Sequence, residues 1–347
     1  MKPGNEAKTH EDQVMKPVSV IGAGAWGTAL ADLLARQGTA VTLWVREEDA
    51  YEAIRGRGEN SVFLPGHLLS ARIRPTRSLK EAAAGARTLV LVVPSHAMRA
   101  VAGELAPMLG SGCVAVTAAK GIEAESGLTM AQVLSEILPP GVTVAALSGP
   151  SFAKEVAAGL PTAVTIACRD LDRARGLQAL FAGNSFRVYS SQDVIGVELG
   201  GAVKNVIAIA AGISDGLGFG HNTRAALITR GLAEMARLAV KLGGSAATFS
   251  GLAGVGDLIL TCTGDLSRNR TLGLGLGRGK KLSELTAGSR QVTEGVRTAL
   301  SVHRLAEREG VDMPICEQVW RILYQDKDPR QAVAELMARD LKEEAAC

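Results

Sequence analysis

The chain has 347 residues, 47% of them hydrophobic, with a net charge of +3 and only 3% aromatics. That length supports two hydrophobic cores of ordinary domain size, and the composition excludes disordered and fibrous classes. A weak charge without aromatic stacking platforms excludes a nucleic-acid partner on these grounds, while small anionic substrates stay compatible.

The five cysteines, Cys113, Cys168, Cys262, Cys316 and Cys347, lie far apart and show no metal-ligand spacing. No metal is therefore expected, and a reducing, cytoplasmic setting is. Residues 1–16 are polar and mixed in charge, without the apolar core of a signal peptide, and read as a flexible extension before a first domain over 17–192.

Val18-Ser-Val-Ile21 reads as a short buried strand, followed at once by Gly22-Ala-Gly24-Ala-Trp-Gly27, a helical pattern up to Gly38 and a second strand over 40–45. Strand, GxGxxG, helix and strand in that order predict a dinucleotide-binding Rossmann turn. Gly22 permits the tight turn, Gly24 lets the backbone reach a pyrophosphate, and Gly27 lets helix and strand pack closely. The free N–H groups at the helix N-terminus face the negative charge. Trp26 either covers the cofactor or packs as core. Beyond the second strand, Arg46 suits a 2′-phosphate and Glu47 a 2′-hydroxyl, so NADP or mixed use fits better than strict NAD.

Two more buried strands, over 88–93 and 113–118, end in loops that carry His96 and Lys120. Ligands of open parallel sheets lie beyond such strand ends. A structural or solvent role is the simpler one for His96, and Lys120 stays open between structure and binding. A strand over 143–147 leads into Ser148-Gly149-Pro150-Ser151-Phe152-Ala153, which on its residues alone is a turn with an N-cap. Strands over 163–167 and 186–189 finish this half.

From Val194 onward the pattern is helical nearly throughout, including 223–242, 294–309 and 316–324. The predicted fold is α/β: an N-terminal Rossmann-type, doubly wound parallel sheet and an all-α C-terminal domain over 193–347. Residues 194–216 form one long apolar run interrupted by Glu198, Lys204 and Asn205. Three polar groups in its middle argue against membrane insertion. Gly200, Gly201 and Ala202 let another backbone or a ligand come close. Lys204 either snorkels to solvent or pairs with Glu198, or it is a desolvated proton donor and acceptor. Residues 251–270 break the helical pattern, with Asp257 in a GxGD turn, Ser267 as a helix N-cap and Arg268 as a fork matched to phosphate oxygens. An ordinary solvated basic turn is the simpler reading of that segment.

Several separated motifs carry a family resemblance: GAGAWGTAL at 22–30, VVPSHAMR at 92–99, AAKGIE at 118–123, SGPSFAKEVA at 148–157, AVKNVIAIAAGISDGLGFG at 202–220, GVGDLILTC at 254–262, SRNR at 267–270 and VTEGVRT at 292–298. In that order they resemble the soluble NAD(P)-dependent sn-glycerol-3-phosphate dehydrogenases, over about 18–324. These enzymes reduce dihydroxyacetone phosphate reversibly to sn-glycerol 3-phosphate, the backbone of glycerophospholipids.

The resemblance implies Lys204 as proton donor and acceptor, with Lys120, Gly149, Ser151, Asp257, Ser267, Arg268 and Asn269 around a small phosphate substrate. It implies Gly22, Gly24, Ala25, Trp26, Gly27, Arg46, Lys120, Ala153, Arg268, Val292 and Glu294 against the dinucleotide, and a homodimer. His96 gains no role from it. As hydride reaches a carbonyl carbon, charge grows on the oxygen, and a nearby ammonium stabilises it and then releases a proton. Two rivals remain: an oxo-acid dehydrogenase of the 6-phosphogluconate group with a similar helix lysine, and a dinucleotide sensor without turnover.

Overall fold

The structure, a computed structural model, describes residues 16–287, 294–341, 343 and 344. It divides into two compact units, one made of the chain up to Ala119 with Met130–Val194, the other of Lys120–Thr129 with the chain from Ile195 on.

The first unit is built on an eight-stranded sheet. Its strands are β1 (Val18–Ile21), β2 (Val41–Trp44), β3 (Ile73–Thr76), β4 (Thr88–Leu91), β5 (Val114–Thr117), β6 (Thr143–Ser148), β7 (Thr162–Cys168) and β8 (Phe186–Ser191), in the order β3-β2-β1-β4-β5-β6-β7-β8. Runs such as VSVI, TLVL and VAVT are buried on every residue, as strands covered on both faces must be. The first six strands in this order run parallel. β7 then turns antiparallel to β6, with β8 parallel to β7. The expected doubly wound parallel sheet is therefore mostly parallel, with one antiparallel step that alternation of apolar residues does not reveal. Ile73-Arg-Pro-Thr76 gave little strand signal, since Pro75 lacks an N–H, and it is found on the sheet edge that tolerates this.

Helix α1 (Ala25–Arg36) follows β1 and buries nine consecutive residues, Gly27 to Ala35. One of them is Asp32, which is wholly buried yet satisfied by His67 Nε2 at 2.8 Å, Arg36 Nε at 3.0 Å and the backbone N–H of Ser70 at 2.8 Å.

The second unit is helical. Its principal elements are α2 (Val194–Gly216), α3 (His221–Lys241), α4 (Asp257–Thr263), α5 (Arg268–Gly277), α6 (Glu294–Glu309) and α7 (Pro314–Tyr324). α2 is long and apolar enough to cross a membrane, with a mean hydropathy of 1.6, but 89% of that window is buried inside the protein. Glycine and alanine let α2 lie at the centre with neighbours on all sides. Lys120–Thr129 joins this unit by hydrogen bonds to α6. Ser301 Oγ donates to the Ile122 carbonyl at 3.1 Å, and Arg308 Nη1 to that of Ser126 at 2.8 Å.

Candidate active site

In the sheet unit the three glycines of the first turn are each required for a different reason. Gly22 has φ +115°, which an L side chain rarely adopts. At Gly27 a Cβ would lie 1.9 Å from the Gly22 carbonyl oxygen, so only hydrogen fits there. Gly24 meets nothing within 4 Å and opens onto free space, while serving as N-cap of α1 without any side-chain cap. The first N–H groups of α1 therefore point out of the fold with no intrahelical partner, a cradle for an anion.

The turn is held from behind. Thr28 Oγ1 donates to the Ala23 carbonyl at 3.2 Å, and buried Asn60 donates through Nδ2 both to that carbonyl and to Thr28 Oγ1, each at 2.8 Å. Trp26 packs against the core of the sheet unit, with its Nε1 buried and unpartnered. Arg46 is exposed and pairs with Glu47 at 2.8 Å, so the two groups that favour opposite cofactors neutralise one another. Gly149 (φ +138°) follows β6, its backbone tight against Val164, and the Ser151 hydroxyl donates to the Gly149 carbonyl at 2.9 Å. Ala153 opens a short helix, Ala153–Ala157. His96 is exposed on a single 3₁₀ turn.

In the helical unit the residues near 251–270 are helical rather than a turn. A π-helical turn over Leu252–Gly256 runs directly into α4, whose first residue is Asp257. Gly200 of α2 makes this possible, because a Cβ there would lie 2.2 Å from the Ala253 carbonyl oxygen. One helical turn beyond that contact on each side come Lys204 and Asp257, and they meet. Lys204 Nζ donates to Asp257 Oδ1 and, at 2.8 Å, to Thr261 Oγ1. Lys120 Nζ donates to the other oxygen, Asp257 Oδ2, at 2.8 Å. Thr261 in turn donates to the Asp257 carbonyl at 2.6 Å, which fixes its hydroxyl as an acceptor toward the lysine.

The aspartate thus bridges two ammonium groups, and Lys204 pairs with Asp257, not with Glu198. Burial drives the Lys204 pKa down to about 7; Asp257 pushes it up and Lys120 further down. An amine poised there can give or take a proton at neutral pH.

Ser267 caps α5, its Oγ accepting from the Arg270 N–H at 3.2 Å. Arg268, the first residue of α5, is exposed beside the Glu294 carboxylate, which opposes the lowering of its pKa by desolvation. Asn269 Nδ2 donates to Asn205 Oδ1 at 2.9 Å, and Asn269 Oδ1 accepts from the Gly295 N–H at 3.1 Å. The helical unit therefore gathers Lys120, Lys204, Asp257, Ser267, Arg268, Asn269 and Glu294. Gly22, Gly24, Ala25, Trp26, Gly27, Arg46, Gly149, Ser151 and Ala153 belong to the sheet unit, and Val292 lies outside the described residues. Thr261 escaped the sequence reading because its spacing of four from Asp257 means nothing until 257–263 is known to be a helix. Asn60 escaped it because its partners lie more than thirty positions away.

Two family models match, described as the N-terminus of NAD-dependent glycerol-3-phosphate dehydrogenase over residues 17–174 and its C-terminus over 193–334. The glycerol-3-phosphate dehydrogenase [NAD(P)+] of Geobacter sulfurreducens is 58% identical over 329 residues, covering 94% of this chain and 98% of that protein. The chain belongs to the NAD-dependent glycerol-3-phosphate dehydrogenase family. The corresponding protein of Syntrophobacter fumaroxidans is 53% identical over 346 residues, 99% of this chain and 98% of its own. The crystal structure of glycerol-3-phosphate dehydrogenase from Coxiella burnetii superposes with a TM-score of 0.90 at 43% identity, covering 94% of this chain and all of that one.

Proposed function

We propose that this protein is a glycerol-3-phosphate dehydrogenase that reduces dihydroxyacetone phosphate reversibly to sn-glycerol 3-phosphate with NADPH or NADH, feeding glycerophospholipid synthesis. The observation that carries the mechanism is the cluster of buried Lys204, Asp257 and Thr261 with half-buried Lys120. The reduced dinucleotide, when bound, supplies a hydride to the carbonyl carbon. The Lys204 ammonium gives its proton to the carbonyl oxygen, and in the reverse direction the neutral amine takes it back. Asp257 holds that amine in place and Thr261 fixes its direction. The capped N-terminus of α5 with Arg268 and Asn269 grips the phosphate, and the family resemblance assigns Lys120, Gly149 and Ser151 to the substrate as well.

The dinucleotide fits the chain's own geometry: open space at Gly24, uncapped N–H groups on α1, and Arg46 at the ribose end of the sheet. The family resemblance assigns Ala25, Trp26, Ala153, Val292 and Glu294 to the dinucleotide as well. The Arg46–Glu47 pair supports use of both cofactors, Arg46 taking a 2′-phosphate and Glu47 a 2′-hydroxyl. Buried, unpaired thiols at Cys113, Cys168, Cys262 and Cys316 support a reducing, cytoplasmic setting. The homodimer rests on the family resemblance, and sedimentation of the purified chain tests it.

The deciding experiment is oxidation of NADPH and of NADH by the purified chain with dihydroxyacetone phosphate, set against oxo acids without phosphate. Turnover confined to the phosphate substrate is expected. Turnover with the oxo acids alone, or cofactor binding without turnover, overturns the reading.

A further inference from the structure

α2 and α5 touch backbone to backbone along four glycines. A Cβ at Gly212 would lie 2.0 Å from the Arg270 carbonyl oxygen, and one at Gly273 would lie 2.1 Å from that of Ile209. One turn further along, a Cβ at Gly216 would lie 2.5 Å from the Leu274 oxygen, and one at Gly277 would lie 2.3 Å from that of Ile213. Each carbonyl thus occupies the place of a missing methyl, and only Cα–H groups face it. The contacts advance together on both helices, so α2 and α5 run side by side in the same direction. That orientation brings the positive N-terminus of α5, with Ser267 and Arg268, beside Asn205, the neighbour of Lys204. The opposite orientation would bring a helix C-terminus there, which repels an anion.

A second fastening fixes the sliding coordinate. Asp215, one residue from the end of α2 and 7% exposed, accepts from Arg270 Nε through Oδ2 at 2.9 Å. Its other oxygen accepts from Arg224 of α3, at 3.0 Å from Nε and 2.6 Å from Nη2. Arg270 sits two residues from Arg268. The glycine seam sets how close the helices lie, and the Asp215–Arg270 pair with the Asn269–Asn205 bond sets how far along α2 the phosphate grip stands from Lys204.

Resting on the function proposed above, we infer that Asp215 and Gly273 are positioning residues that act as a spacer. They hold the phosphate-gripping N-terminus of α5 at the separation from the Lys204 amine that a three-carbon keto phosphate spans. Neither residue touches substrate; both work through Arg268 and its helix.

The test uses Asp215→Asn and Gly273→Ala in the full chain, each alone and each combined with Arg268→Ala. With Arg268 intact, kcat/KM for dihydroxyacetone phosphate is expected to fall about 10- to 100-fold, the scale of a displacement near 1 Å. KM should carry most of that fall, while the NADPH dissociation constant holds. In the Arg268→Ala background, where the grip is already gone, the further loss is expected to shrink to about twofold or less. Equal losses in both backgrounds, a fall in kcat at unchanged KM, or no effect overturns the inference. Should Gly273→Ala fail to fold, Asp215→Asn carries the same test. A wild-type chain that ignores dihydroxyacetone phosphate overturns the proposed function as well, whereas an active wild type with unresponsive variants overturns the spacer alone.

Discussion

The glycine turn of the sheet unit contains no charged residue, while the core of the helical unit's site is built on charge. From Gly22 to Gly27 the chain works by what is missing: no Cβ where one would collide, none where a ligand must come close. Around Asp257 the protein instead buries a carboxylate and the Lys204 ammonium, with Lys120 half-buried beside them, and satisfies them with one another. Shape can be destroyed by adding a methyl group, whereas a buried charge cluster is destroyed by removing a member. The two regions should therefore fail in different ways.

The largest effect is expected at the cluster. Lys204→Ala should lower kcat by about 10²- to 10⁴-fold, the usual range for a lost general acid, while NADPH titration by fluorescence gives the wild-type dissociation constant. Weakened NADPH binding would mean that the two regions are not separate in function.

Two adjacent glycines sharpen the contrast within the turn itself. Gly27→Ala should destabilise the protein by about 1–3 kcal/mol or more in thermal or urea unfolding, since its methyl has nowhere to go. Gly24→Ala should leave the melting temperature nearly unchanged and instead weaken NADPH by about tenfold, near 1.4 kcal/mol, by standing in the open space that the pyrophosphate needs. The reverse pattern would break the assignment of packing to one and ligand approach to the other.

The charge cluster also makes a pH prediction that the glycine turn does not. With Lys204 near 7, kcat/KM for ketone reduction should decline above about pH 7, by up to tenfold per unit, because the ammonium form is consumed. Oxidation of the alcohol needs the neutral amine and should rise toward the same pH and then level off. Since Asp257 pushes that pKa up, Asp257→Asn should move the midpoint of the reduction profile below 7.

A last effect, on stability and not on turnover, concerns Glu234, another buried carboxylate of the helical unit. It accepts the N–H groups of Ile315 at 2.7 Å and Cys316 at 3.1 Å, at the start of α7, and burial raises its pKa to about 7. The native state therefore holds this proton more tightly than the unfolded chain does. The contribution to stability is full below about pH 4.5 and is lost as pH rises to about 7, by roughly 3 kcal/mol. Glu234→Gln should flatten that slope in urea unfolding curves taken from pH 5 to 8.

This contrast also explains what could be read in advance. The turn at Gly22 was legible because all its parts lie within six residues, between a strand and a helix that announce themselves by periodicity. Lys204 stood out as a lone cation in an apolar helix, but its partner lies 53 positions away and Lys120 lies 137 from that partner. No local pattern encodes such pairings; only family motifs placed Lys120 and Asp257 in one set. The π-helical turn before Asp257 looked like a loop because glycines at 251, 254 and 256 lower helix propensity, and tertiary contact with Gly200 overrode it. The antiparallel β7 was hidden for a different reason, since direction depends on the connection and not on the strand's own residues.

The excursion of Lys120–Thr129 into the helical unit means that half of the molecule is not one stretch of gene. A fragment starting at 193 would lack one of the two cations that Asp257 holds. A chimera that borrows residues 17–192 from a relative, to change cofactor use, would import that relative's lysine along with its nucleotide turn. Domain grafting in this enzyme should therefore cut twice more, on either side of 120–129, to leave the Lys120–Asp257–Lys204 cluster of native parentage.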